Sequence, residues 1–127
     1  MGAPAAIPVA VVVPVTIEEV RALASQLPRA YEALVRDRVK FRVGRLVYLA
    51  FSRDETILGF GCPKEDRPAL LATRPEVFLP PDPSDERYHW LQLRMAAIER
   101  PELDEFVIDA WQLVVPKGVA AAYLATR

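Results

Sequence analysis

Arg36, Arg38, Lys40 and Arg42 occupy every second position of the stretch Arg-Asp-Arg-Val-Lys-Phe-Arg. Val35, Val39, Phe41 and Val43 fill most of the positions between and beside them. A period of two marks a β-strand with one buried and one exposed face. Four cations on one face have a specific chemistry: each can hold a phosphate. Alternate residues on a strand stand about 6.8 Å apart, so Arg36 to Arg42 spans about 20 Å, the rise of about six nucleotides on one strand of B-form DNA. Binding of that kind falls steeply with salt and reads little sequence. Arg45 follows across the next turn and extends the track. The ordinary fate of such a run is a solvated face paired with neighbouring acids, here Asp54, Glu55 or helix carboxylates.

Aromatic side chains would add stacking, worth about 1–3 kcal/mol per base. Tyr48, Tyr88, His89 and Trp90 fall on strand or loop positions. The same residues also suit a half-buried sheet. Lys117 suits either an anion site or the end of a helix, where a cation faces the last carbonyls. The rest of the chain offers little reaction chemistry. His89 is the only histidine and has no cysteine or second histidine at ligand spacing, so no metal and no cofactor is expected. Cys62 has Lys64 nearby but no base in sequence reach, and reads as a small buried hydrophobe. Gly59-Phe-Gly61 is too short for a phosphate loop. No catalytic constellation emerges, and the expectation is a protein that binds rather than reacts.

The charge balance sharpens this. The 127 residues carry 16 basic and 17 acidic side chains, with a pI near 5.9, which excludes a bulk polybasic binder. Residues 29–53 nonetheless hold seven basic residues against two acidic ones, a local +5 set against −6 elsewhere. That asymmetry favours an anionic partner for one surface, unless the acidic remainder folds back and neutralises it. A single cysteine gives no internal disulfide. The apolar stretch Ala3 to Val15 carries Pro4, Pro8 and Pro14, has no preceding Lys or Arg, and is far short of the roughly 20 residues of a membrane span. A cytoplasmic protein without a membrane partner is expected.

The elements that must position the track follow from pattern. Residues 1–15 read as an extended or loose leader, and residues 16–127 as one domain. Thr16 and Glu19 have capping-box spacing, and Val20, Leu23, Ala24 and Leu27 form the stripe of a helix that Pro28 ends. Residues 30–35 read as a short second helical turn. Residues 38–43, 46–52 and 56–62 read as hairpin strands joined by Gly44-Arg45 and Arg53-Asp54-Glu55. Gly59 and Gly61 suggest a bulge or the close approach of another backbone. A short helix over 63–74, a brief strand over 77–79, a proline-rich loop over 80–87 and a strand over 89–98 follow. Pro101 suits the start of a helix carrying Leu103, Phe106, Val107 and Ala110 inward, and 119–124 reads as a last helix. Hairpin strands flanked by helices imply an α+β two-layer sandwich, an antiparallel sheet with helices on one face and the other face partly in water.

The chain resembles the MmcQ/YjbR-like family over about residues 16–125. The carriers are Thr16-Ile-Glu-Glu-Val-Arg-Ala-Leu-Ala, Val39-Lys-Phe-Arg-Val-Gly-Arg-Leu-Val-Tyr, Arg67-Pro-Ala-Leu-Leu-Ala-Thr-Arg-Pro-Glu-Val-Phe, Trp90-Leu-Gln-Leu-Arg and Phe106-Val-Ile-Asp-Ala-Trp-Gln-Leu-Val-Val-Pro-Lys. The resemblance implies a small bacterial α+β domain, likened in fold to the frataxin-like CyaY proteins, and carries the label DNA-binding by analogy of shape. The leader and the loop 80–87 depart from the family pattern. Stripe and resemblance together lead to a nucleic-acid-binding accessory domain that touches DNA or another polyanion through Arg36, Arg38, Lys40, Arg42 and Arg45, with Tyr48, His89, Trp90 and Lys117 as accessories. The alternative is a protein-interaction or homodimerising module with no nucleic-acid activity.

Overall fold

The computed structural model describes residues 13–127. Most of the expected leader, residues 1–12, lies outside the described residues. Val15 is buried, and its N–H donates to the Met95 carbonyl at 3.4 Å. Thr16 then caps α1 (Ile17–Ala24) through the expected box: the Glu19 N–H donates to Thr16 Oγ1 at 3.2 Å, and the Thr16 N–H donates to Glu19 Oε1 at 3.1 Å. Val20 and Ala24 face inward from it.

The next segment corrects the sequence reading. Ala30–Val35 is a strand, β1, and not a helical turn. It pairs antiparallel with β2 (Arg38–Val43), from Ala30 opposite Val43 to Val35 opposite Arg38. The hairpin turns on Arg36 and Asp37, both in the left-handed region at φ 51° and 65°. Two such residues match the right-handed twist of the flanking strands, but the turn carries no glycine or asparagine to announce it. Ala, Glu and Leu in 30–35 are helix formers, and pairing with β2 overrides that preference.

Gly44 at φ 60° opens the second tight turn, into β3 (Leu46–Phe51). The register of β2 against β3 shifts between Phe41 and Arg42: Phe41 faces Leu49, Arg42 faces Val47, and Tyr48 is the extra residue of a bulge. Tyr48 and Leu49 are consequently both buried. β4 (Ile57–Gly61), α2 (Arg67–Thr73), β5 (Phe78–Leu79), β6 (Trp90–Arg94), α3 (Glu102–Gln112) and α4 (Lys117–Leu124) complete the chain, with single 3-10 turns at 64–66, 83–85 and 95–97. The expected strand over 89–98 thus gives way to a 3-10 turn at Met95.

The six strands form one antiparallel sheet in the order β1-β2-β3-β4-β6-β5. Alternation assigns its two faces. Phe41, Leu49, Phe51, Leu58, Phe60, Phe78, Leu91 and Leu93 are buried on the face toward the helices. There α3 lies against β3 and β4, α1 packs on α3, and α2 sits beside β5. The fold is α+β, with helices packed against the sheet. Phe60, Phe78 and Phe106 form a ring cluster with centroids 5.3–6.3 Å apart. Trp111 is fully buried in addition to the expected stripe of α3, and its Nε1–H donates to the Pro28 carbonyl at 2.9 Å. That bond ties the end of α1 to α3. No helix among the described residues is long and apolar enough to cross a membrane.

Candidate nucleic-acid interface

The opposite sheet face carries the charged positions. Arg38, Lys40 and Arg42 alternate with the buried Phe41 and Val43 on β2 and are each partly accessible. Arg36 sits in the β1–β2 turn rather than on the strand, so the strand portion of the track is Arg38 to Arg42, about 14 Å long. Arg45 is exposed in the β2–β3 turn.

Among the described residues no carboxylate forms an ion pair with these cations, although Asp54, Asp82 and Asp85 line the same cavity as Arg38, Lys40 and Arg45. Among the described residues, four arginines form ion pairs: Arg21 with Glu18 and Glu32, Arg74 with Glu102, Arg100 with Glu19 and Asp104, and Arg127 with Glu105. Arg36, Arg38, Lys40, Arg42 and Arg45 take no part in them. Asp54, a candidate cross-strand partner, is turned onto its own loop. It accepts hydrogen bonds from Ser52 Oγ at 2.7 Å and from Thr56 N–H at 3.1 Å and Oγ1 at 2.7 Å. Arg38 is positioned instead by a neutral acceptor, its Nε donating to the Phe51 carbonyl at 3.0 Å. Arg42 Nε is buried with no acceptor. Desolvation, then the neighbouring Arg38 and Arg42, hold the Lys40 ammonium below its ordinary pKa, and Asp85 opposes them.

Beside β2 the sheet face opens into a cavity of about 1010 Å³. Arg38, Lys40, Arg45 and Arg53 line one side of it. The far side is Asp82, Asp85, Tyr88 and His89, from the loop that precedes β6, together with Trp90 and Gln92 of β6 itself. Arg67 at the start of α2 fastens that loop. Its Nη1 donates to the Tyr88 and Trp90 carbonyls at 3.1 and 3.2 Å, and its Nη2 to the Glu86 carbonyl at 3.1 Å. His89 is fixed from the other side, its Nδ1 accepting the Lys64 N–H at 2.9 Å. The neutral imidazole therefore carries its proton on Nε2. Gly59 is needed for a close approach, though by a side chain and not by a backbone. A Cβ there would meet the Nε1 and Cζ2 atoms of Trp90 at 2.8 Å.

The accessory residues divide. His89 and Trp90 line the cavity, with Tyr88 beside them. Tyr48 is fully buried at the bulge and cannot stack on a base; desolvation raises its phenol pKa. Lys117 is exposed at the start of α4, so it is not a C-terminal helix cation, and it does not line the cavity. Sequence reasoning passed over Arg53, Arg67, Asp82 and Gln92. Arg53 carried a signal as part of the +5 segment, and Gln92 through its alternation with Leu91 and Leu93 on the strand.

The family model for YjbR matches residues 25–113, which take in all six strands, α2 and α3. The chain belongs to the YjbR family. In structure this YjbR domain is similar to the Deinococcus radiodurans protein DR2400, a DUF419 domain, with a TM-score of 0.70 at 21% identity over 81% of this chain and 80% of that one. Likeness at that identity is a likeness of fold. No curated protein matches the chain. The loop that walls the cavity lies inside the matched YjbR region.

Proposed function

We propose that the open sheet face binds a single strand of nucleic acid, as a non-enzymatic accessory protein. The observation that carries this reading is the group Arg38, Lys40 and Arg45 on one wall of the cavity, with Arg42 on the same strand and Arg36 in the adjoining turn, none of them in an ion pair among the described residues. Phosphates would lie along Arg36, Arg38, Lys40, Arg42 and Arg45. Asp82 and Asp85 across the cavity favour one strand over two. A duplex would press its second backbone against those carboxylates, whereas a single strand can turn its bases toward Trp90 and its phosphates toward β2. Three or four phosphate contacts give a slope of log affinity against log salt of about −2 to −3 for a single strand. Fluorescence anisotropy with labelled oligonucleotides at several salt concentrations measures it.

A second reading rests on β1. It is an edge strand with nothing paired to its outer side among the described residues, and it exposes Tyr31 and Leu34. Such an edge can accept a strand from a partner or from a second copy. Native mass spectrometry at micromolar concentration separates the two: a stable complex without nucleic acid favours the edge.

A further inference from the structure

The two edges of the sheet differ. β5 is only two residues long, which is one way a fold blunts an edge. β1 is six residues long and pairs with β2 in an unbroken register. It holds no proline, lysine or bulge, the other usual guards. Its single charge, Glu32, is held by Arg21, whose Nε and Nη2 donate at 2.6 and 3.1 Å. Tyr31 and Leu34 are exposed on it. The hairpin turn fixes which of its backbone groups are free. A two-residue loop over Arg36 and Asp37 closes on Val35 and Arg38, which exchange the first pair of ladder bonds. Bonding then alternates along the strand. Val35, Ala33 and Tyr31 turn their N–H and C=O groups to β2, and Leu34 and Glu32 turn theirs to the open edge. Ala30 also faces outward, but its N–H already donates to the Leu27 carbonyl at 3.2 Å.

Resting on the second reading above, we infer that the occupant of this edge is β1 of a second copy, antiparallel, across a two-fold axis at Ala33. That register sets Glu32 of each copy opposite Leu34 of the other. Each of those two pairs exchanges two bonds, so every free N–H and C=O of Glu32 and Leu34 is met. An axis at Glu32 would oppose two carboxylates and call on the Ala30 N–H, which is already engaged. An axis at Leu34 would set Glu32 against Arg36, in the left-handed turn beyond the strand. The Ala33 axis also matches Tyr31 with Val35 on the open face, an aromatic and β-branched pair of the kind that stabilises sheets. Beyond each end of the strand it brings Arg29 of one copy to Asp37 of the other. Neither residue enters an ion pair among the described residues of its own chain. One pair of six-residue strands falls below the roughly 1,200 Å² of a stable interface, so the association depends on concentration. The axis stands normal to the sheet. Both open faces therefore lie on one side, with their β2 strands about 14 Å apart.

Sedimentation of the whole chain between about 10 μM and about 1 mM should show a reversible dimer. Arg29→Asp and Asp37→Arg should each weaken it at least about two-fold, and the two together should restore it. Thermal melts confirm that the variants fold. Cysteine placement then reads the axis. Opposed residues that exchange no ladder bonds have Cα atoms about 4.5 Å apart, within disulfide reach. The native Cys62 is buried and takes no part. Under mild oxidation Ala33→Cys should cross-link at least about ten-fold faster than Val35→Cys, whose two copies would stand about 14 Å apart. A chain that stays monomeric at about 1 mM overturns the inference. Its edge then remains open to a different protein, and nucleic-acid binding is untouched. A dimer in which Val35→Cys links as fast as Ala33→Cys has another axis and overturns it too. Slow amide exchange at Glu32 and Leu34 in the dilute monomer would mean that a segment of the same chain covers the edge, and overturns it likewise.

Discussion

Lys40 concentrates the chemistry of the open face in one side chain. It is partly desolvated and flanked by Arg38 and Arg42, with Asp85 as the one opposing charge that acts on it, and its pKa is lowered accordingly. Tyr48 shows the opposite case of a polar group with no function to serve. Its hydroxyl is buried without a partner, and no cation or acceptor approaches it. Tyr48→Phe should therefore raise the unfolding free energy by about 1 kcal/mol, a shift of roughly 4 °C in thermal midpoint, with oligonucleotide affinity unchanged. A fall in stability would mean that the hydroxyl has an acceptor. Cys62 is likewise buried, and desolvation followed by Asp66 pushes its thiol up to about 11, which fits a packing role.

At the scale of elements, the loop over residues 80–89 decides whether the sheet face is a flat surface or a cavity. Arg67 holds it through the Glu86 and Tyr88 carbonyls and ties it to the Trp90 carbonyl of β6. Arg67→Ala should free the loop without unfolding the sheet: hydrogen exchange over residues 84–90 should rise at least ten-fold while the β2–β3–β4 amides stay protected. Unchanged exchange in the loop would mean that the guanidinium is dispensable. Arg67 also explains why the cavity was invisible in the chain. The alternation in residues 38–43 announces its own strand face, since a period of two needs no knowledge of the fold. Gln92, Asp82 and Asp85 are distant in sequence from β2, and only strand order and the Arg67 clamp bring them alongside it. β1 was hidden for a different reason. Its residues prefer helix, its turn lacks glycine, and pairing with β2 decides the outcome. The α1 cap was legible to the residue because Thr16 and Glu19 satisfy one another locally.

At the scale of the molecule, the charges separate by role. The ion-paired and hydrogen-bonded carboxylates belong to the helices, to β1 at Glu32 and to the turns, and several are held below their ordinary range. Backbone hydrogen bonding at Thr16 lowers Glu19, Ser52 lowers Asp54, and Arg127 lowers Glu105. For each, the unfolded chain takes up protons before the folded one, so the stabilisation is complete above the unfolded value and is lost as pH falls through the folded one. Asp109 runs the other way, raised by desolvation and Glu105. With three groups against one, urea midpoints should be level between pH 5 and 7 and fall progressively below about pH 4.5. A midpoint that rose in acid would reverse that balance. Arg36, Arg38, Lys40, Arg42 and Arg45 take no part in the ion pairs among the described residues.

The most direct measurement of whether those cations take a ligand is the anisotropy of a labelled single-stranded octamer titrated with the native chain and with a Lys40→Glu/Arg42→Glu variant, at 50 and 200 mM salt. Affinity in the native chain should fall by roughly ten-fold or more across that range, and the folded variant should lose most of its binding even at low salt. Binding indifferent to salt and to both charge reversals, or no binding by the native chain at 50 mM salt, would contradict the single-strand reading.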